Sequence, residues 1–135
     1  YEKGRGVAHD AKAALGLYLK AANSGYAGAQ YRLGRLYENG SLVKMSPAAA
    51  MRWYGKAAEQ NLNLAQYRLG RLLLQGRGVK SDPKQAYRWF YRADQSASGP
   101  LKSKVAQHLK LAAKQITGGD LEKIVLALQE ETETS

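Results

Sequence analysis

Cysteine is absent from the 135 residues, and the chain holds two histidines, three prolines and one phenylalanine. Without cysteine there is no disulfide, no thiolate metal site and no thiol nucleophile, although that absence leaves the compartment open. His9 and His108 stand far apart, and neither has a second ligand three or four places away, the spacing by which a helix presents a zinc site. Neither a metal nor a cofactor is expected. No apolar run reaches the roughly 18 residues of a membrane span, and the opening Tyr-Glu-Lys-Gly-Arg-Gly lacks the apolar stretch of a secretion signal. Acidic residues are scarce: 11 Asp and Glu face 21 Lys and Arg, for a formal charge of +10. The excess lies within residues 1–100, which carry 16 basic and 6 acidic side chains, whereas residues 101–135 carry 5 of each. Such a field favours acidic proteins, nucleic acid or anionic polysaccharide without choosing among them.

What the chain has in abundance is alanine, leucine, lysine, arginine and glutamine, residues that lose little side-chain entropy in a helix. It also has a repeat. Tyr-Arg-Leu-Gly-Arg-Leu occupies positions 31–36 and again 67–72, and a shift of 36 places aligns much more. Ala29-Gln30 meets Ala65-Gln66, Gly40 meets Gly76, Pro47 meets Pro83, Ala50 meets Ala86, Trp53-Tyr54 meets Trp89-Phe90, and Ala57 meets Ala93. A shift of 72 places extends the register back to Gly4, Asp10, Ala14, Tyr18 and Ala21. Self-similarity at such a period is the mark of a solenoid.

Each unit reads as two helices. Ala29, Leu33, Leu36 and Tyr37 recur at helical spacing, and Gly40 is placed to end the first helix in a left-handed conformation. Ser46-Pro47 and Asp82-Pro83 are N-caps followed by proline at the first helical position. The second helix then runs through Ala50, Trp53, Tyr54 and Ala57 towards Asn61, the counterpart of Gly25, both residues that tolerate positive φ. Gly34 and Gly70 fall inside first helices, where glycine costs about 1 kcal/mol relative to alanine, so close approach of a neighbouring helix is expected there.

Ala-Gln-Tyr-x-Leu-Gly-x-Leu-Tyr-x-x-Gly, followed by Gly-Val-x-x-Asp, Ala-x-x-Trp-Tyr and x-Ala-Ala, resembles the Sel1-like repeat over residues 1 to about 97. The resemblance implies an all-α, right-handed superhelical solenoid of antiparallel helix pairs, related to tetratricopeptide arrays. It also implies a non-enzymatic scaffold or adaptor that binds other proteins, in a family common in bacteria, often exported, and recurrent in cell-envelope systems. A periplasmic or secreted location is thereby favoured over others. The expected division is a partial repeat at 1–26, holding the second helix of a unit that begins upstream, then repeats at 27–62 and 63–98, and C-terminal capping helices with an acidic tail at 99–135. Without a leading helix, the helix from 10 to 24 would expose Leu15, Leu17 and Tyr18.

Departures from the pattern also carry expectations. Leu42 stands where Gly6 and Gly78 occur, so its loop is expected to take a different backbone path, and Gly99-Pro100 replaces the boundary glycine missing at Ala97. Leu101, Val105, Leu109, Ala112 and Ile116 form one stripe of a helix stopping at Gly118-Gly119. Asp120 is placed to cap a last helix striped by Leu121, Ile124, Val125 and Leu128, with a frayed tail from Glu130.

No catalytic constellation stands out, and no small-molecule substrate is expected. Asp10 and Asp82 are explained as helix caps. The Gly-Arg-Gly-Val segments at 4–7 and 76–79 lack the following Gly-Lys-Ser/Thr of a phosphate loop and read as repeat turns. Tyr31, Tyr67, Trp53, Trp89, Tyr54 and Phe90 recur with the leucines and read as core. The arginines of the doubled motif remain. Arg32 and Arg35 lie opposite the apolar stripe, Arg68 and Arg71 repeat them, and Lys104 continues the first row. In the resembled family the first helices line the concave surface, so these five residues would form a basic ladder for an acidic segment of a partner protein, or else a solvated face. Lys20, Arg52, Lys56, Arg88 and Arg92 form a secondary basic row on the second helices, which leaves an anionic polysaccharide or nucleic acid as the alternative partner.

Overall fold

The computed structural model describes the backbone of residues 2–134 and the side chains of residues 11–132. Seven helices follow one another, and among the described residues there is no strand: α1 (Glu2–Asn23), α2 (Ala27–Asn39), α3 (Pro47–Glu59), α4 (Asn63–Gln75), α5 (Pro83–Ser96), α6 (Gly99–Lys114) and α7 (Asp120–Thr134). Helices α1 to α6 pack chiefly on their sequence neighbours, α4 also meets α6, and α7 packs on α5. This is the pattern of a solenoid in which α2, α4 and α6 form one layer and α1, α3, α5 and α7 the other.

Local chemistry places the ends. Ser46 Oγ accepts the Ala49 N–H at 3.2 Å and Asp82 Oδ1 the Gln85 N–H at 3.1 Å, so both second helices start on a capping side chain followed by proline. First helices end at Gly40 (φ +71°) and Gly76 (φ +74°), whose left-handed backbone returns an N–H to the carbonyl of Leu36 or Leu72. Asn61 (φ +68°) serves at the boundary where the preceding unit has Gly25 (φ +98°).

α2 and α4 begin without a side-chain cap, and buried glutamines tie them down instead. Gln30 Nε2 donates to the Ala22 carbonyl at 3.1 Å, and Gln66 Nε2 donates to the Ala58 carbonyl at the same distance. One residue type thus clamps each first helix to the end of the helix before it, adding a second donor to a terminal carbonyl that already accepts the N–H of Gly25 or Asn61.

Gly34 and Gly70 lie where the two layers touch. A Cβ added at Gly70 would stand 2.6 Å from Phe90 Cε1, and one added at Gly34 would overlap the Tyr54 ring. Close approach therefore explains both, as the repeat suggests. Around these contacts the core runs as a string of clusters: Ala50, Tyr54, Ala57, Leu69 and Leu72 between the first two full units, then Ala86, Phe90, Ala93 and Val105, then Ile116, Ile124 and Leu128 under α7.

Four expectations need correction. The Gly-Arg-Gly-Val segment at 4–7 is not a turn but lies within α1, which removes Asp10 as a helix start; the side chains of Asp10 and His9 lie outside the described residues. The Leu42 loop does not diverge: Leu42 (φ +67°) adopts the left-handed conformation of Gly78 (φ +81°). Ser46 N–H and Asp82 N–H likewise close equivalent bonds to Tyr37 and Leu73, both at 2.9 Å, so the hydrogen-bond frame overrides the leucine's preference. α6 stops at Lys114, before the glycine pair, and Asp120 opens α7 with its carboxylate on Lys84 Nζ at 2.9 Å. Finally, α7 continues through the tail to Thr134. The exposed face of α1 is as expected at Leu17, which is 68% exposed, whereas Leu15 and Tyr18 are half-buried.

Candidate functional site

The basic residues of the first-helix layer do not share one environment. Arg32 and Arg35 are exposed on α2, with the Arg32 guanidinium 5.9 Å from the centre of the Tyr18 ring. Together they line an open pocket of about 240 Å³ whose other walls are Tyr18, Leu36, Asn39 and Ser41, with no carboxylate among them. Arg71 on α4 is half-buried, stacked 5.7 Å from the Tyr67 ring centre, and its buried Nε–H has no hydrogen-bond partner. Lys104 is exposed on α6.

Arg68 is different. Its Nε–H donates to Tyr31 Oη at 3.1 Å, and a terminal guanidinium nitrogen lies 3.6 Å from Glu38 Oε1. The same carboxylate oxygen accepts the Tyr54 hydroxyl at 2.7 Å, and Glu38 Oε2 faces Arg77 at 4.0 Å. Glu38 retains only 10% side-chain exposure, so a buried charge is held by two guanidiniums and a phenol. Burial first, then the bond to Glu38, pushes the Tyr54 hydroxyl far above the ordinary tyrosine range. Sequence reasoning places Arg68 in the ladder; its structure-building bonds explain why it is not available as the others are. It overlooks Glu38, yet a signal exists. Between the two copies Glu38 becomes Leu74 exactly as its partner Tyr54 becomes Phe90, a paired change from polar to apolar.

The secondary row also divides. Lys20 and Arg52 are exposed and Arg88 is half-buried, but Lys56 lies 4.9 Å above the Trp53 ring and Arg92 lies 5.0 Å above the Trp89 ring. Arg92 additionally faces Glu131 at 3.8 Å. The tryptophans are half-buried with a cation on their open face, not enclosed in the core as the repeat pattern suggests. Tyr54, Phe90 and Tyr67 are buried, whereas Tyr31 is only partly so. His108 packs edge-on to Tyr67 with ring centres 5.1 Å apart, and its Nδ1 lies 2.8 Å from the Lys104 carbonyl oxygen.

Nothing in this arrangement sets a nucleophile beside a base. Among the described residues no three His, Asp or Glu side chains gather as metal ligands, and no helix is long and apolar enough to cross a membrane. The arrangement offers a surface with cations held at fixed spacing on stacked helices.

Comparison with known proteins agrees with the geometry. The Sel1 repeat profile matches residues 1–26, 27–62 and 63–93. A protective antigen present in uropathogenic Escherichia coli strains, displaying an SLR fold, superposes with a TM-score of 0.78 and 32% identity over 89% of this chain and 25% of its own. A Sel1 repeat protein from Oxalobacter formigenes does so with a TM-score of 0.67 and 36% identity over 73% of this chain and 38% of its own. This chain thus spans well under half the length of either. A search of curated proteins finds no match. Sel1 repeat proteins generally act as non-catalytic scaffolds for protein–protein interaction. With its helix pairs, its doubled motif and three matched repeats, the chain belongs to the Sel1 repeat family.

Proposed function

We propose that the chain captures an acidic segment of a partner protein on the first-helix layer, with Arg32, Arg35 and Arg71 as the main contacts and Lys104 extending the surface along α6. The observation that carries this reading is the pocket walled by Arg32 and Arg35 without a carboxylate. Arginine suits the role because its planar fork pairs bidentately with Asp, Glu or a terminal carboxylate. Arg71 contributes a guanidinium already ordered on Tyr67, so little rotamer freedom remains to be lost on binding. Arg68 braces the surface from beneath through Glu38 and Tyr31.

The test reverses Arg32, Arg35 and Arg71 to Glu and leaves Arg68 intact. Isothermal titration with an Asp/Glu-rich peptide should show binding to the parent chain and at least a tenfold loss in the triple variant, at unchanged helicity. Equal affinity for both would refute the reading. The alternative partner, an anionic polysaccharide or nucleic acid spread over all the basic faces, has weaker support because Arg92 of the second-helix row already faces Glu131. For duplex DNA it would give log affinity falling by about 0.9 per phosphate neutralised as salt rises.

A further inference from the structure

The two loops joining first to second helices follow the same path, with matching left-handed residues at Gly40 and Gly76 and at Leu42 and Gly78. Their side chains differ sharply. The second loop carries Gly78 and Ser81, where the first carries Leu42 and Met45, 51% and 55% exposed. Because serine and glycine support the same backbone, neither apolar side chain is needed to build the loop. Leu42 moreover holds a conformation in which its Cβ is crowded and glycine is at ease.

Beside this loop opens a pocket of about 640 Å³, within the range of sites that take a side chain or small ligand. Tyr37 from the end of α2, Val43 and Met45 from the loop and Ala49 from the first turns of α3 supply apolar walls, while Lys44 and Arg52 supply the charge. No carboxylate lines it, and among the described residues neither Lys44 nor Arg52 makes an ion pair. Cations further along the same layer are engaged: Lys84 with Asp120 and Arg92 with Glu131.

We infer that this pocket is a second docking site, separate from the first-helix arginines, for a partner segment that places an aliphatic or aromatic side chain against Tyr37, Val43 and Met45 and carboxylates against Lys44 and Arg52. Charge complementarity selects an acidic segment, and the apolar walls demand an anchor that a purely acidic run lacks. Methionine suits the contact wall, since its flexible, polarizable thioether adapts to varied side chains. Of the two described loops only this one carries the methionine wall, because Ser81 stands where the first loop has Met45.

The probe is a synthetic peptide, Glu-Asp-Trp-Leu-Glu-Asp, titrated into the chain carrying 13C-labelled methionine methyls. Met45 reports the pocket, and Met51, packed against the core between α3 and α4, is the internal reference. The Met45 methyl should shift to saturation while Met51 moves little. Replacing Trp-Leu by Gly-Gly in the peptide, or mutating Arg52→Ser, should weaken the affinity read at the Met45 methyl at least tenfold, and Met45→Ser should remove one class of sites from a calorimetric titration; Arg32→Ser with Arg35→Ser removes the other class, the first-helix site, and leaves the Met45 shift in place. Met45→Ser installs the residue that the equivalent loop already uses, so folding is not at issue. A silent Met45 at saturating peptide, equal binding of the Gly-Gly peptide, or loss of binding only in the Arg32/Arg35 variant would overturn the site. So would a Met45 response confined to vesicles containing phosphatidylglycerol.

Discussion

Gln30 and Gln66 occupy the same place in consecutive units but not the same circumstances. Gln60 Nε2 reaches back to Gln30 Oε1 and to the Gly25 carbonyl, both at 2.9 Å, so Gln30 is satisfied at both ends of its amide. One unit on, Ser96 replaces Gln60; it accepts from Asn63 Nδ2 at 3.1 Å, and buried Gln66 Oε1 is left without a partner. An unsatisfied buried acceptor costs about 1–3 kcal/mol. Ser96→Gln should therefore raise unfolding stability by roughly 1 kcal/mol, seen as a higher urea midpoint at unchanged slope. No gain would mean that the new amide does not reach Gln66. The helix glycines make the opposite case. Alanine at Gly34 or Gly70 adds about 1 kcal/mol of helix propensity yet drives a methyl into Tyr54 or Phe90, and overpacking of that kind costs about 1–3 kcal/mol. Thermal melts of both variants should show a lower Tm, and a rise in either would contradict the close approach described.

At the scale of elements, the pair formed by Glu38 and Tyr54 couples α2 to α3, whereas one unit on Leu74 packs against the apolar cluster that holds Phe90. Glu38→Leu alone leaves Arg68 and Arg77 without their carboxylate, and Tyr54→Phe alone takes a hydrogen bond from a buried anion. Made together they copy the second unit, so their combined cost in a double-mutant cycle should fall below the sum by about 0.5–2 kcal/mol. Strict additivity would show the pair to be uncoupled. The pH dependence has a definite sign. Because the folded phenol is held protonated far above the ordinary value, this stabilisation is complete below about pH 10 and is lost as unfolded tyrosine ionises at higher pH. Tyr54→Phe should flatten the alkaline fall in Tm above about pH 10; a fall as steep as the parent's would assign it elsewhere.

Helix order, caps and the packing glycines were legible in the sequence because proline, capping residues and a repeat at fixed period act locally. The left-handed Leu42 was not, since only the hydrogen bonds of Ser46 to Tyr37 and Asp82 to Leu73 reveal that both loops share a frame. Nor was the division of the arginines. Spacing alone puts Arg68 beside Arg71 on one face, but its engagement depends on Glu38, thirty places away and on another helix.

Across the whole molecule, charge is sorted by region. The basic repeats end against α7, whose Asp120 and Glu131 face Lys84 and Arg92 while Ile124 and Leu128 cover Ile116, Tyr87 and Tyr91. Exposed ion pairs contribute little, so the apolar contacts should dominate the attachment of this last helix. Leu128→Ala, at a side chain only 3% exposed, should cost about 2–5 kcal/mol, with amide exchange in α7 accelerating before that in α4. Uniform acceleration along the chain would show instead that the array opens as a single cooperative unit.

Successive units are thus fastened unequally: Gln60 donates one bond to the Gly25 turn and another to Gln30 on α2, whereas Ser96, one unit on, takes a single bond from Asn63 at 3.1 Å. As a mechanical object the molecule is expected to bend first where α5 meets the turn between α3 and α4, leaving the Arg32 and Arg35 surface on the firmer segment; faster amide exchange around Asn61 than around Gly25 is the measurement that checks it.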